Sequence, residues 1–158
     1  EKLAKQLEEK TTHRKYYALV WGVIKNDTGT IDAPIGRDPK DRKKMAVVDN
    51  NSKDAVTHFK VLERYKNATL IELKLETGRT HQIRVHMKHL GCPILGDSIY
   101  NGNKSKLFPN ATLMLHSYKL KILLPEESQI KTFRTKTPKR FIEVQKKLKK
   151  LYPKVILP

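Results

Sequence analysis

Four side chains with nitrogen hydrogen-bond donors lie within six residues of this chain: Arg79, His81, Gln82 and Arg84. Apolar and polar residues alternate over 71–76, which predicts a strand that ends at Thr77-Gly78. Side-chain donors at a strand-to-helix junction, joined by the free backbone N–H groups of a helix start, suit an anion. A solvated polar turn accounts for the same residues equally well when the pattern is taken alone.

Metal binding is the first alternative for this stretch, because three histidines and a cysteine follow one another closely: His81, His86, His89 and Cys92. On a helix, successive residues are about 100° apart, so His81 and His86 point roughly 140° apart and cannot share one ion. His86 and His89 lie on one side, but two ligands do not make a metal site. The sequence therefore predicts no metal.

Other catalytic patterns are weaker. Cys92 stands between Gly91 and Pro93 among apolar residues, which favours a buried and inert thiol over a nucleophile. Asp97 follows Gly96 and is either a catalytic carboxylate or, more commonly, the residue that closes a turn. The sequence has no glycine-rich phosphate loop and no dinucleotide fingerprint, and we expect no cofactor.

A helix over residues 80–90 is expected to carry the donors. Ile83, Met87 and Leu90 recur at helical spacing, and Gly91 followed by Cys92-Pro93 is a helix stop signal. The alternation of Ile83, Val85 and Met87 also fits a strand, but we favour the helix.

The rest of the chain is mostly strands. Residues 14–24 carry sizeable side chains on both faces, which is typical of a strand inside a sheet. Residues 30–33 are predicted to form a short strand that Pro34 ends, and residues 113–124 one or two strands around Ser117. Residues 55–65 and 68–76 predict a hairpin around Lys66-Asn67. Thr137-Pro138 predicts the start of a last helix, with an apolar stripe of Phe141, Val144, Leu148 and Leu151. We expect one α+β domain over residues 1–158, with a mixed, mainly antiparallel sheet flanked by helices.

The charge balance indicates the partner. The 158 residues contain 33 Lys and Arg against 16 Asp and Glu, a net charge of +17. Such an excess favours a nucleic acid first and an anionic membrane surface second. No apolar run is long enough to span a bilayer, and a single cysteine fits a reducing compartment, so we expect a cytoplasmic protein.

Residues 35–54 predict a mobile basic loop around a short strand at 45–48, with an ordinary surface loop as the alternative. The lysines of the last helix fit either a solvated face or an extension of an RNA-binding surface.

Three blocks of sequence together resemble the RluA-type RNA pseudouridine synthases, and the likeness runs from Leu3 to Pro138. The first block is Arg14-Lys15-Tyr16-Tyr17-Ala18-Leu19-Val20-Trp21-Gly22. The second is Thr77-Gly78-Arg79-Thr80-His81-Gln82-Ile83-Arg84-Val85-His86. The third is Leu90-Gly91-Cys92-Pro93-Ile94-Leu95-Gly96-Asp97, with Tyr100.

The resemblance implies isomerisation of uridine to pseudouridine in structured RNA, without cofactor or metal, and with ribosomal RNA as the expected partner. It implies that Tyr16 stacks on the uracil and serves as a base, and that Arg84 pairs with the family's catalytic Asp. Arg79 and His81 would position the RNA backbone or the motif itself. The basic segment with Arg37, Arg42, Lys43 and Lys44 would hold the flanking phosphates.

The chain departs from the family in one respect, because no His-Arg-Leu-Asp motif, which holds the family's catalytic Asp, occurs in it. In the family that motif precedes the block with Tyr16. The sequence also begins at Glu1 without a Met. We therefore expect the C-terminal part of a longer enzyme's catalytic domain, inactive alone. The rival interpretation is a basic RNA-binding module without chemistry, and a start codon near Glu1 would favour it.

Overall fold

The structure, a computed structural model, describes residues 13–101, 112–124 and 129–151. In chain order its strands are β1 (His13–Trp21), β2 (Thr28–Asp32), β3 (Ile35–Arg37), β4 (Met45–Val47), β5 (Ser52–Lys53), β6 (Val56–Arg64), β7 (Ala68–Leu75), β8 (Leu115–Leu124) and β9 (Gln129–Arg134). Its helices are α1 (Gln82–His89) and α2 (Lys139–Leu151). Six strands form one sheet in the order β2-β6-β7-β1-β8-β9, and three short ones form a second sheet in the order β4-β3-β5. All pairings between these strands are antiparallel, and the predicted α+β class is confirmed.

Strand β1 lies inside the large sheet, between β7 and β8, as its two apolar faces predict. Ala18, Leu19 and Val20 are fully buried, and burying an aliphatic side chain such as that of Leu19 or Val20 stabilises the fold by about 1.5–3 kcal/mol. The segment after α1 is attached to the same strand, because the Leu95 N–H donates to the Leu19 carbonyl at 2.9 Å. This attachment fixes α1 relative to β1.

The two helices lie on opposite faces of the large sheet. Tyr17 is paired across the strands with His116, whose ring meets the edge of Phe141 of α2 at 6.3 Å between centroids. Tyr16 points to the other face, where Thr57 of β6 hydrogen-bonds to His86 of α1. The sequence pattern of β1 thus separates a face for α2 from a face for α1.

The segment 35–54 is the main difference from the predicted fold. The sequence predicts a loop around one short strand, but β3 and β5 add two strands to β4 and make a small sheet. Gly36 is needed in it, because an added Cβ would lie 2.6 Å from the Asn51 carbonyl oxygen. Strands β3 and β5, of three and two residues, are too short to show a period, so alternation does not reveal them.

Three details differ from the sequence prediction: the bounds of α1, the burial of Cys92 and the presence of strand β9. Helix α1 starts two residues later than predicted and ends before Gly91, whose φ of +85° confirms the stop signal. Cys92 packs against the core but remains partly exposed, so the prediction of a buried thiol is wrong. Strand β9 was not predicted. In α2, Phe141, Val144 and Leu148 are buried as expected, while the side chain of Leu151 lies outside the described residues.

Candidate active site

A cavity of about 330 Å³ lies between the start of α1 and the face of the sheet that carries Tyr16. Four residues of the predicted site line it: Tyr16, Arg79, His81 and Arg84. The remaining lining residues are Arg14, Leu75, Gly78, Gln82, Ile83, Leu113 and Leu115. The fold therefore brings residues that are more than 60 positions apart in the sequence to one place.

The turn between β7 and α1 is held by the buried amide of Gln82. Its Oε1 accepts from the Thr77 hydroxyl at 2.7 Å and from the Arg79 N–H at 3.0 Å. Its Nε2 donates to the Val56 carbonyl at 3.0 Å and to the Thr57 hydroxyl at 2.9 Å. Gln82 therefore fixes the turn against β6, a positioning role that the donor pattern of the sequence did not reveal.

Arg84 is held by Asp97 through two parallel hydrogen bonds. Nε donates to Oδ2 at 2.9 Å and Nη2 donates to Oδ1 at 2.8 Å. Oδ1 also accepts the N–H groups of Ile99 and Tyr100, so the turn-closing interpretation of Asp97 is confirmed. The paired geometry leaves Nη1 and one hydrogen of Nη2 of Arg84 for another acceptor.

The environment keeps this pair ionised. Burial by itself raises the pKa of the Asp97 carboxyl, but the Arg84 guanidinium and the N–H groups of Tyr100 and Ile99 outweigh it, so the pKa is lowered. The hydrogen bond to Asp97 in turn raises the pKa of Arg84. A fixed positive charge therefore stands at the cavity wall.

His81 adopts an unusual backbone conformation just before α1. Its φ of 54° and ψ of 26° are in the left-handed region, whereas the sequence predicts Gly78 as the residue that makes the turn. Its Nδ1 lies 2.8 Å from the hydroxyl of Tyr100. Burial, then the Arg84 charge, lowers the pKa of His81, and the opposing effect of Asp97 is smaller. His81 is therefore neutral near pH 7.

The other four predicted RNA-binding residues lie on the small sheet and its loop, not on the cavity wall. Arg37 ends β3, and Arg42, Lys43 and Lys44 precede β4. Arg37, Arg42 and Lys43 are exposed and Lys44 is half-buried. The small sheet is connected to the cavity through Tyr100. The Met45 N–H donates to the Tyr100 hydroxyl at 3.1 Å, and the same hydroxyl lies next to His81, which lines the cavity.

Arg14 was missing from the predicted site. Its guanidinium lies 5.9 Å from the centre of the Tyr16 ring, and its buried Nε has no hydrogen-bond partner among the described residues. Arg79, by contrast, donates from Nε to the Asp54 carbonyl at 2.7 Å. The alternation of β1 places Arg14 on the same face as Tyr16, which is the signal that could have found it.

His86 belongs to the interior, not to the cavity. Its Nδ1 lies 2.7 Å from the Thr57 hydroxyl and its Nε2 lies 2.9 Å from the Ala33 carbonyl. A carbonyl can only accept, so Nε2 carries the proton and Nδ1 accepts from Thr57. Burial lowers the pKa of His86 further than the Ala33 carbonyl raises it.

We expect acid to destabilise the fold through His86. Because its pKa is lower in the folded than in the unfolded chain, the unfolded chain takes up the proton first as pH falls below 6.5. The free energy of unfolding should therefore be lower at pH 5.5 than at pH 7.5, by up to about 1.4 kcal/mol per pH unit for each proton. Urea unfolding at both pH values measures this difference. If a His86→Gln variant loses as much unfolding free energy as the parent between pH 7.5 and pH 5.5, the prediction is contradicted.

Neither a metal cluster nor a membrane-spanning helix occurs in the part of the chain that the structure describes. Among residues 13–101, 112–124 and 129–151, no group of three or more His, Cys, Asp or Glu side chains is arranged to hold a metal ion. No helix in the same ranges is long and apolar enough to cross a membrane.

A family model described as RNA pseudouridylate synthase matches residues 1–89, more than half of the chain. The chain belongs to the RNA pseudouridylate synthase family. The resemblance to the RluA type is thereby confirmed, since its relatives include ribosomal large subunit pseudouridine synthase D of Pseudomonas aeruginosa, which is 56% identical over 101 residues. These residues are 64% of this chain and 31% of that protein.

Other relatives support the same family. The uncharacterized RNA pseudouridine synthase YlyB of Bacillus subtilis is 48% identical over 150 residues, which are 95% of this chain and 48% of that protein. The solved structure of human RNA pseudouridylate synthase domain containing 1 aligns with a TM-score of 0.79 and 27% identity. It covers 98% of this chain and 64% of that one. The chain thus spans about half or less of the length of these curated relatives.

Proposed function

We propose that the protein containing this chain isomerises uridine to pseudouridine in structured RNA, with large-subunit ribosomal RNA as its target. The observation that carries the proposal is the cavity in which Tyr16 and Arg84 meet. Family membership supports the reaction, and the relatives named ribosomal large subunit pseudouridine synthase D support the target.

The proposed roles are those that the family resemblance implies, and the positions of the side chains around the cavity are compatible with them. The ring of Tyr16 stacks on a uracil that has left its helical stack, and its hydroxyl serves as a base. Arg84 directs its remaining donors at a catalytic carboxylate, while Asp97 holds the other edge of the guanidinium. Arg14, next to Tyr16, adds a second cation toward the same carboxylate or a phosphate.

We further propose that residues 1–158 by themselves form one domain that does not turn over uridine, because they contain no His-Arg-Leu-Asp motif. Without that carboxylate, the cavity has the proposed base Tyr16 and its binding groups but not the group on which the family's catalysis depends.

The test is tritium release from [5-³H]uridine in unmodified ribosomal RNA. We expect turnover by the complete gene product and none by residues 1–158 alone. The matched control is the complete protein with its motif Asp replaced by Asn, which should be as inactive as the shorter chain. If the complete protein is inactive but still binds RNA, the proposed enzymatic activity is contradicted and a binding module is favoured. If residues 1–158 alone turn over uridine, the proposal that they are inactive is contradicted.

RNA binding is expected to depend on the basic loop before β4. Replacing Arg42, Lys43 and Lys44 by Ala in the complete protein should weaken RNA affinity and reduce the salt slope by about 0.7 for each phosphate that is no longer neutralised. Stability should change little, because the described hydrogen bonds of these three residues use backbone atoms. Filter binding over a range of KCl concentrations and urea unfolding measure the two effects.

The matched control removes three charges on the other side of the sheet. Lys139, Lys146 and Lys147 of α2 are exposed, and α2 covers the face opposite the cavity. Their replacement by Ala should reduce affinity less. If both triple variants bind equally, or if the loop variant binds like the parent at moderate salt, the loop has no special part in RNA binding.

A further inference from the structure

Tyr100 stands between the small sheet and the cavity, and its hydroxyl has two neighbours. The Met45 N–H lies 3.1 Å away and Nδ1 of His81 lies 2.8 Å away. Tyr100 is 3% exposed, and the Arg84 guanidinium lies 5.2 Å from the centre of its ring. Its own backbone N–H donates to Asp97. Tyr100 is therefore fixed from three directions.

These contacts define where the proton of His81 lies. A backbone N–H only donates, so the Tyr100 oxygen accepts from Met45 and its hydroxyl hydrogen is free to donate to Nδ1 of His81. In the reverse arrangement the buried hydroxyl hydrogen would have no acceptor among the described residues, which costs about 1–3 kcal/mol. A neutral His81 then carries its proton on Nε2.

The charged groups around His81 favour the neutral ring. Burial, then Arg84 on α1, and to a smaller extent Arg37 on β3 lower its pKa, and among the described residues Asp97 opposes them. Tyr100 is the other group in contact, through an edge-on ring arrangement with 5.6 Å between centroids. The Nε2–H has no partner among the described residues, although His81 lines the cavity.

The backbone of His81 stores strain in the same place. A non-glycine residue in the left-handed region costs about 1 kcal/mol or more, and such residues cluster at ligand-binding sites. The Val85 N–H donates to the His81 carbonyl at 2.9 Å, so the first turn of α1 preserves the conformation. The strained turn presents the ring to the cavity.

We propose that His81 is a neutral hydrogen-bond donor, through Nε2–H, to an oxygen of the target nucleotide, and that Tyr100 is the positioning residue that selects this tautomer. The inference rests on the proposed function. It assigns His81 a binding role and no proton transfer, because a neutral ring with Nδ1 already occupied has no free site to accept a proton.

Two substitutions at His81 separate donor position from backbone preference. Gln places its amide N–H near the position of Nε2, whereas Asn places it near Nδ1. Asn, however, is the residue that tolerates the left-handed region better. In the complete protein, we expect His81→Gln to keep kcat/KM within about fivefold of the parent and His81→Asn to lose at least about tenfold, as for one missing hydrogen bond. Asn activity equal to or above that of Gln would overturn the proposal, and so would a loss of more than about a thousandfold in both.

The tautomer is measured without turnover. In the complete protein, ¹⁵N chemical shifts of His81 near pH 7.5 should show Nε2 protonated and Nδ1 bare. Tyr100→Phe should give a mixture of tautomers and lower kcat/KM about tenfold, while urea unfolding checks that it folds. A parent with Nδ1 protonated overturns the assignment. A parent that shows the Nε2–H tautomer but isomerises no uridine overturns the proposed function and the donor role, and leaves the tautomer assignment standing.

Discussion

Replacing Tyr16 by Phe in the complete protein is expected to lower kcat for uridine isomerisation by about 10²–10⁴-fold while RNA affinity changes little. The ring of Phe still fills the cavity wall and still stacks on a base, so only the hydroxyl is removed. General base catalysis contributes rate factors of this size. Single-turnover tritium release and filter binding measure the two quantities.

The substitution is a clean test because the Tyr16 hydroxyl has no hydrogen-bond partner among the described residues. Its removal therefore leaves no buried group unsatisfied, and the free energy of unfolding should stay within about 0.5 kcal/mol of the parent value. The next residue supplies the control. Tyr17 faces the opposite side of the sheet and stacks on Tyr118 at 3.9 Å, so Tyr17→Phe should keep parental turnover. If the kcat of Tyr16→Phe stays within about threefold of the parent value, the Tyr16 hydroxyl does not serve as the base.

The sequence predicted the parts of this fold that depend on local pattern. The double apolar face of β1 predicted its interior position, and the turn at Lys66-Asn67 predicted the hairpin of β6 and β7. Helical spacing and Gly91 predicted α1 to within two residues. These signals work because side-chain direction follows directly from the period of the element.

The sequence could not predict what depends on contacts between elements. Arg84 and Asp97 are 13 residues apart, one on a helix and the other in a turn, and no periodicity relates them. His81 and Tyr100 meet only because the chain after α1 returns along β1. The sequence blocks that resemble the family contain Arg84, Asp97, His81 and Tyr100, but they do not show which of these residues pair. The left-handed backbone of His81 had no sequence signal either, because the turn pattern indicated only the end of the strand at Thr77-Gly78.

The buried pair of Arg84 and Asp97 gives the largest expected effect on stability. Replacing Asp97 by Asn should lower the free energy of unfolding by about 3 kcal/mol or more, as for other buried ion pairs that lose one partner. The side chains of Arg84 and Asp97 are 15% and 0% exposed. Asn keeps the shape of Asp and, with its oxygen at the Oδ1 position, still accepts the N–H groups of Ile99 and Tyr100. Its NH2 group then replaces the Oδ2 that accepts from Arg84 Nε, so the loss reports the missing charge together with this hydrogen bond. Urea unfolding of the complete protein measures it.

A second Arg–Asp pair provides the matched control. Arg64 and Asp27 are joined at the same 2.8 Å, but the Asp27 side chain is 87% exposed. Asp27→Asn should therefore reduce the free energy of unfolding by less than about 1 kcal/mol, because water already solvates the Asp27 carboxylate, whereas Arg64 is as buried as Arg84. Equal losses in the two variants would mean that burial does not determine the strength of the Arg84–Asp97 pair.

The pH dependence of the Asp97→Asn loss separates charge from shape. The pKa of Asp97 is lowered in the folded chain, so its carboxylate contributes fully above the ordinary value of 3.8. The contribution disappears as pH falls from there toward the folded pKa. The difference in unfolding free energy between parent and Asp97→Asn should therefore be constant from about pH 7 to pH 5 and shrink below about pH 4. A difference that persists undiminished into acid would instead come from packing, and Arg84 would then owe its position in the cavity to shape rather than to charge.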